Sequence, residues 1–170
     1  RHSATLAGNI ANASPAGDSL LALYLFDAKV VLKSIEEERT LLVKDFIIGV
    51  RRIDLHSNEL IKEIIIPLVP LTNYKWVKVG GRRADSISKV SFAGMYLTNF
   101  GLVSDIRMAF GSVAAMVARS ISLENSLKNR PIEDIISDLP RILEETDKMI
   151  SPIDDQRSNK QYRRKVCAHI

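Results

Sequence analysis

The sequence holds a single cysteine, Cys167, and three histidines among its 170 residues. One thiol cannot close an internal disulfide, and it excludes a multi-cysteine zinc or iron–sulfur centre supplied by this chain alone. It fits a reducing, cytoplasmic setting. His2, His56 and His169 lie far apart, without the H-x-x-x-H spacing of a helical metal site, so no metal ligand is expected. Aromatic residues make up only 6%, which leaves little for base stacking, and no nucleic-acid partner is expected. No apolar run approaches the ~18 residues of a membrane span. Catalytic signatures are missing as well: there is no G-x-S-x-G, no H-E-x-x-H and no Walker loop. The opening Arg1-His2-Ser3 has no Met and no apolar leader, which reads as a fragment or a processed product.

What is present is a core-forming composition. Hydrophobic residues at 46% beside 26% charged ones argue for one folded domain or two small ones, not for disorder. The net charge of +4 is unevenly spread. Arg157, Lys160, Arg163, Arg164 and Lys165 crowd the last twenty residues, while 132–150 is rich in Asp and Glu. Such alternation marks solvated helix faces.

Along the chain, Ala4 to Ser19 is too rich in Gly, Asn, Ser and Pro for a regular element and reads as an ordered loop that has room for a turn of helix. Leu20 to Phe26 fits a short helix or a strand. Ala28 to Ser34 and Arg39 to Val43 read as a hairpin across an acidic turn, and Leu60 to Pro67 as a buried strand. Pro67, Pro70 and Thr72-Asn73 mark a boundary. Three strands follow: Tyr74 to Val79, Val90 to Asn99 and Leu102 to Phe110, the last two joined at Phe100-Gly101. From Ala118 the pattern is helical. Ile121, Glu124 and Leu127 have helical spacing; Ile132, Ile135, Ile136 and Leu139 form a stripe, and Leu143, Met149 and Ile150 continue it. Tyr162, Val166 and Ile170 form another. Asp154-Asp155 is expected to cap the last helix.

Chemistry concentrates in Thr5-Leu6-Ala7-Gly8-Asn9, followed by Asn12, Ser14-Pro15 and Asp18. Small residues let backbone approach a ligand, successive N–H groups can form a concave anion site, and Asp18 could accept from sugar hydroxyls or a ring N–H. Composition alone does not separate this from an ordinary Asx-rich turn, which is the commoner case.

These residues resemble the second flavin motif, T-hydrophobic-G-G-N-I-x-x-A-S-P-x-x-D, of the FAD-binding subunit of molybdenum hydroxylases. That family includes xanthine dehydrogenase and aerobic carbon monoxide dehydrogenase. Four further segments match in order. Leu60 to Pro67 resembles the strand ending I-x-I-P. Lys78, Arg82-Arg83, Asp85 and Ile87 resemble K-x-x-x-R-R-x-D-x-I, and Arg107 to Gly111 resembles R-x-A-x-G. Asp155, Arg157, Tyr162 and Arg163 resemble the closing D-x-R-x-x-x-x-Y-R helix. The first Gly of the family pair is Ala7 here, and the family's other flavin motif, a Gly-rich pyrophosphate loop in an N-terminal subdomain, is absent.

The resemblance implies an electron-transfer flavoprotein component, an oxidoreductase subunit inactive alone. FAD would take electrons from iron–sulfur clusters and pass them to NAD or another acceptor, with molybdenum cofactor and clusters on partner subunits. Thr5, Leu6, Ala7, Gly8 and Asn9 would contact the FAD diphosphate and ribitol, Asp18 would hydrogen-bond the cofactor, Ile61 would pack near the ring and Lys78 would lie beside it. Tyr162 and Arg163 would be structural. The expected fold is α+β: residues 1–70 as the second subdomain of the FAD-binding domain, an antiparallel sheet, and residues 71–170 as a C-terminal domain with a three-stranded antiparallel sheet and helices. The competing expectation is a non-catalytic assembly module that has lost independent flavin binding.

Overall fold

The computed structural model describes residues 4–70, 73–83 and 85–170. The opening stretch, expected as a loop, forms one helix and leads into a second. In α1 (Leu6–Ala11) the Thr5 hydroxyl accepts from the Gly8 N–H at 3.0 Å, and Ile10 is fully buried. The cap and that burial override the poor helix propensity of Gly and Asn. Ala13, at φ 44°, ends the turn. In α2 (Asp18–Leu25) Asp18 occupies the first turn, where a carboxylate meets the positive end of the helix dipole. Leu20, Leu21, Leu23, Tyr24 and Leu25 are all buried, so the apolar run is a helix sunk in the core, not a strand.

β1 (Lys29–Lys33) and β2 (Glu38–Leu42) form the expected antiparallel hairpin. Ser34 Oγ accepts from the N–H groups of Glu36 and Glu37 in its turn. A short helix, α3 (Val43–Phe46), and a small ladder of β3 (Ile47–Gly49) and β4 (Arg52–Ile53) follow. β5 (Leu60–Ile65) completes a sheet of order β2-β1-β5. It is not the buried strand its isoleucines suggest: Leu60, Ile65 and Ile66 are exposed, while Val30, Val31 and Leu32 of the central β1 are buried. A bulge at Lys62 sets Ile61 opposite Leu32 and Glu63 opposite Val31. Ile61 and Ile64, three apart, therefore both pack against the first core.

The second sheet has order β6-β7-β8, from β6 (Asn73–Val79), β7 (Val90–Asn99) and β8 (Leu102–Gly111). Phe100 (φ 49°) and Gly101 (φ 79°) form the two-residue hairpin turn whose left-handed backbone matches strand twist. One face carries Ala93, Met95 and Ala109 into the first core beside α2. The other carries Phe92 and Phe110, with ring centroids 4.9 Å apart, against Ile150 and Cys167.

That second face is covered by helices: α4 (Ile121–Leu127), α5 (Ile132–Ser137), α6 (Leu139–Met149) and α7 (Lys160–Cys167). Their buried lines differ from those read off the sequence. α4 buries Leu123, Glu124 and Leu127, and leaves Ile121 exposed. α5 buries nothing completely, because it packs at the outside of the cluster and only Ile135 reaches the core. On α6 the inward line is Ile142 and Thr146, continued by Ile150. On α7 it is Arg163 and Cys167, one position beyond the expected stripe, so Tyr162 faces out. Two layered antiparallel sheets with flanking helices make the architecture α+β. Among the described residues no helix is long and apolar enough to cross a membrane, and no group of three or more His, Cys, Asp or Glu side chains is placed to hold a metal.

Candidate functional site

α1 and the head of α2 lie together. Ser19, in the first turn of α2, donates to Asn9 Oδ1 at 2.5 Å and ties the two helices. One residue earlier, Asp18 meets the second sheet. Lys78 Nζ on β6 donates to Asp18 Oδ2 at 2.5 Å, and Ser88 Oγ donates to Asp18 Oδ1 at 3.0 Å. Lys78 and Asp18 keep 30% and 44% of their side-chain surface, so both remain open to a ligand. Ser88 is fully buried behind them. The structure thus joins Asp18 and Lys78, which are 60 residues apart. Thr5 to Asn9 sit on α1 with an exposed first turn. Ile61 makes no polar link to this group; it is half-buried against the core that includes Ile10.

α2 is held at its other end too. Arg107 Nη1 donates to the Leu25 carbonyl at 2.6 Å and to Asp27 at 3.1 Å, and Arg119 donates to Asp27 at 2.7 Å. Gly111 allows the close approach between: a Cβ there would stand 2.5 Å from Leu21 Cδ1 and from Ser91 Oγ. The R-x-A-x-G strand is therefore the seat of α2.

The closing helix has a corresponding role. Arg163 is 1% exposed. Its Nη1 donates to the carbonyls of Lys89 (2.6 Å) and Ser112 (2.8 Å), and its Nη2 to Asp155 at 2.7 Å. Burial by itself would raise the Asp155 carboxyl. Hydrogen bonds from the Arg157 side chain and from the Arg157 and Ser158 N–H groups, with the charge of Arg163, outweigh it and hold the group well below the usual carboxylate range. The cap of α7 is Asn159, whose side chain accepts from the Tyr162 N–H at 2.8 Å, and not the expected aspartate pair: Asp154 only adds a bond from the Lys160 N–H at 2.6 Å, and Asp155 is spent on the arginines. A cleft of about 920 Å³ runs beside the motif, from Asn9, Asn12 and Ser14 to Asp155 and Arg157.

Sequence reasoning missed Ser88, for which a lone serine in a loop offers no signal. It found Arg163 only as part of a pattern.

Residues 1–69 match the FAD binding domain in molybdopterin dehydrogenase, and residues 75–170 match the CO dehydrogenase flavoprotein C-terminal domain. This chain belongs to the flavoprotein-subunit family of the molybdenum hydroxylases. Within that family it is similar to the glyceraldehyde dehydrogenase medium chain of Sulfolobus acidocaldarius, 30% identical over 98% of this chain and 58% of that one. It is also similar to the xanthine dehydrogenase FAD-binding subunit of Escherichia coli O157:H7, 27% identical over 96% of this chain and 56% of that one. The fold matches a carbon monoxide dehydrogenase chain from Hydrogenophaga pseudoflava, with a TM-score of 0.88 at 22% identity over 99% of this chain and 58% of that chain. The chain thus spans less than two thirds of the length of these relatives.

Proposed function

We propose that this chain binds FAD across the first turn of α1 and the Asp18–Lys78 pair, and that it serves as the electron-transfer flavoprotein component of a molybdenum hydroxylase. The observation that carries the reading is the 2.5 Å contact between Lys78 and Asp18, two residues assigned to the cofactor by separate motifs. The residues suit the group. A Cβ on Gly8 would lie 3.0 Å from Thr5 Oγ1 and crowd the cap, so the glycine keeps the entry to α1 open to a phosphate-bearing ligand. An α-helix leaves its first-turn N–H groups without intrahelical partners; Thr5 takes that of Gly8 on its hydroxyl and that of Asn9 on its carbonyl, which leaves those of Leu6 and Ala7. Thr5, Leu6, Ala7, Gly8 and Asn9 would hold the diphosphate and ribitol. Asp18 has lone pairs beyond those used by Lys78 and Ser88, and would accept from hydroxyl or ring N–H groups. Lys78 has two further N–H donors and a positive charge that would stabilise negative charge on a reduced ring. Ile61 would supply apolar contact to the ring. When bound, FAD supplies the exchange between one-electron donors and a two-electron acceptor.

On this reading residues 1–70 are the second subdomain of the FAD-binding domain and residues 71–170 a C-terminal domain. Electrons would come from an iron–sulfur partner subunit, with molybdopterin chemistry on another, and leave to NAD or a different acceptor. A glycine-rich pyrophosphate loop from a further segment would complete the cradle, a reading supported by the greater length of the related subunits. The buried lone thiol fits a cytoplasmic setting.

The test is FAD titration, followed by fluorescence, of the full-length subunit that contains this chain. Asp18→Ala is expected to weaken binding about tenfold, the scale of a lost charge-assisted hydrogen bond. No binding by the unaltered protein would overturn the reading in favour of a non-catalytic assembly module.

A further inference from the structure

Four segments of this chain that are scattered along the sequence meet in one chain of hydrogen bonds. It starts at the buried Arg163 on α7, whose Nη1 donates to the Ser112 carbonyl at 2.8 Å and the Lys89 carbonyl at 2.6 Å. Ser112 in turn donates its hydroxyl to the Ser88 carbonyl at 3.2 Å, and its N–H to the Pro15 carbonyl at 2.9 Å. Ser88 donates its own hydroxyl to Asp18 Oδ1, and Asp18 Oδ2 holds Lys78. Ser88, Ser112 and Arg163 are all buried. The two peptide groups that follow Ser88, on either side of Lys89, are thus pinned from behind: the Ser88 carbonyl by Ser112, and that of Lys89 by Arg163.

We propose that Ser88 is a positioning residue of the cofactor site: backed by Ser112 and Arg163, it fixes the Asp18 carboxylate and, through it, the Lys78 ammonium. A carboxylate bonded by one donor alone can rotate about its last torsion. With Ser88 on Oδ1, the oxygen that meets Lys78 is set, and the cation is held in one place. Ser88 does not touch the ligand; it acts through Asp18 and Lys78. The closing D-x-R-x-x-x-x-Y-R helix thereby gains a function at the site, because Arg163 braces the segment that carries Ser88. This inference rests on the flavin reading above.

The test compares affinity for reduced and oxidised FAD in the flavin-loaded holoprotein. A fixed cation favours the reduced, more negative ring, so the ratio of reduced to oxidised affinity reports where Lys78 stands. Ser88→Ala is expected to lower that ratio about fivefold, within the range of one hydrogen bond to a charged group. In a Lys78→Met background the same change is expected to leave the ratio unaltered, because its route to the ring is gone. Ser112→Ala, one step further back, is expected to give a smaller fall in the same direction and serves as the second variant if Ser88→Ala does not fold. An unchanged ratio in Ser88→Ala, or an equal fall in the Lys78→Met background, would overturn the proposal while leaving FAD binding intact. Absence of FAD from the unaltered protein would overturn both readings together.

Discussion

Lys78 and Asp18 show how the site depends on single residues. Each is an ordinary surface type, and neither is distinguished by composition. Their bond gives them meaning, because it places a cation and a carboxylate at the head of α2, which Ser19 ties to α1 through Asn9. Arg163 makes the opposite case: a charged side chain that is almost wholly enclosed, and tolerated because Asp155 neutralises it and two carbonyls accept its N–H groups. Cys167, one turn further along α7, shares that enclosure. Burial pushes its thiol up to about 12, so almost no thiolate exists at neutral pH. Native protein is accordingly expected to resist an aromatic disulfide reagent at pH 8 and to react fully once denatured. Fast reaction in the folded state would show that the α7 packing is wrong.

At the scale of elements, the question is why two short helices come to rest on a sheet formed by a later part of the chain. α2 is apolar around most of its surface, so it cannot lie on a surface; it must be sunk between the sheets. The depth it reaches is set by Gly111 on β8, where any side chain would meet Leu21 and Ser91. Gly111→Ala is therefore expected to cost about 1–3 kcal/mol, the usual range for overpacking a filled core. Chemical denaturation would measure it, and a neutral result would mean that α2 does not seat against β8 as described. Arg107 and Arg119 at one end of α2, and Ser88 and Lys78 at the other, then fix its direction. The site inherits its geometry from this seating.

For the molecule as a whole, the sequence shows its strands more openly than its helices. β1, β2, β6, β7 and β8 follow from alternation and turn residues, and Phe100-Gly101 marks its hairpin directly. The helices were harder for a physical reason. α1 and α5 have six residues each, too few for a period to repeat, and on α7 the buried face is carried by an arginine and a cysteine. β5 misleads because its isoleucines sit at an outer strand, with a bulge that composition cannot reveal. At the site, the motifs pointed to Asp18 and Lys78 separately, while their mutual contact and the part played by Ser88 needed three dimensions.

The central claim is that these two residues form a single FAD-binding unit, and a double-mutant cycle on FAD affinity tests it most directly. Asp18→Ala and Lys78→Met are each expected to weaken FAD binding about tenfold, and the double variant little more than either alone, because partners in one network do not contribute additively. The account would be contradicted by a double variant that weakens binding about a hundredfold, the product of the two single losses, which is the result for two independent contacts.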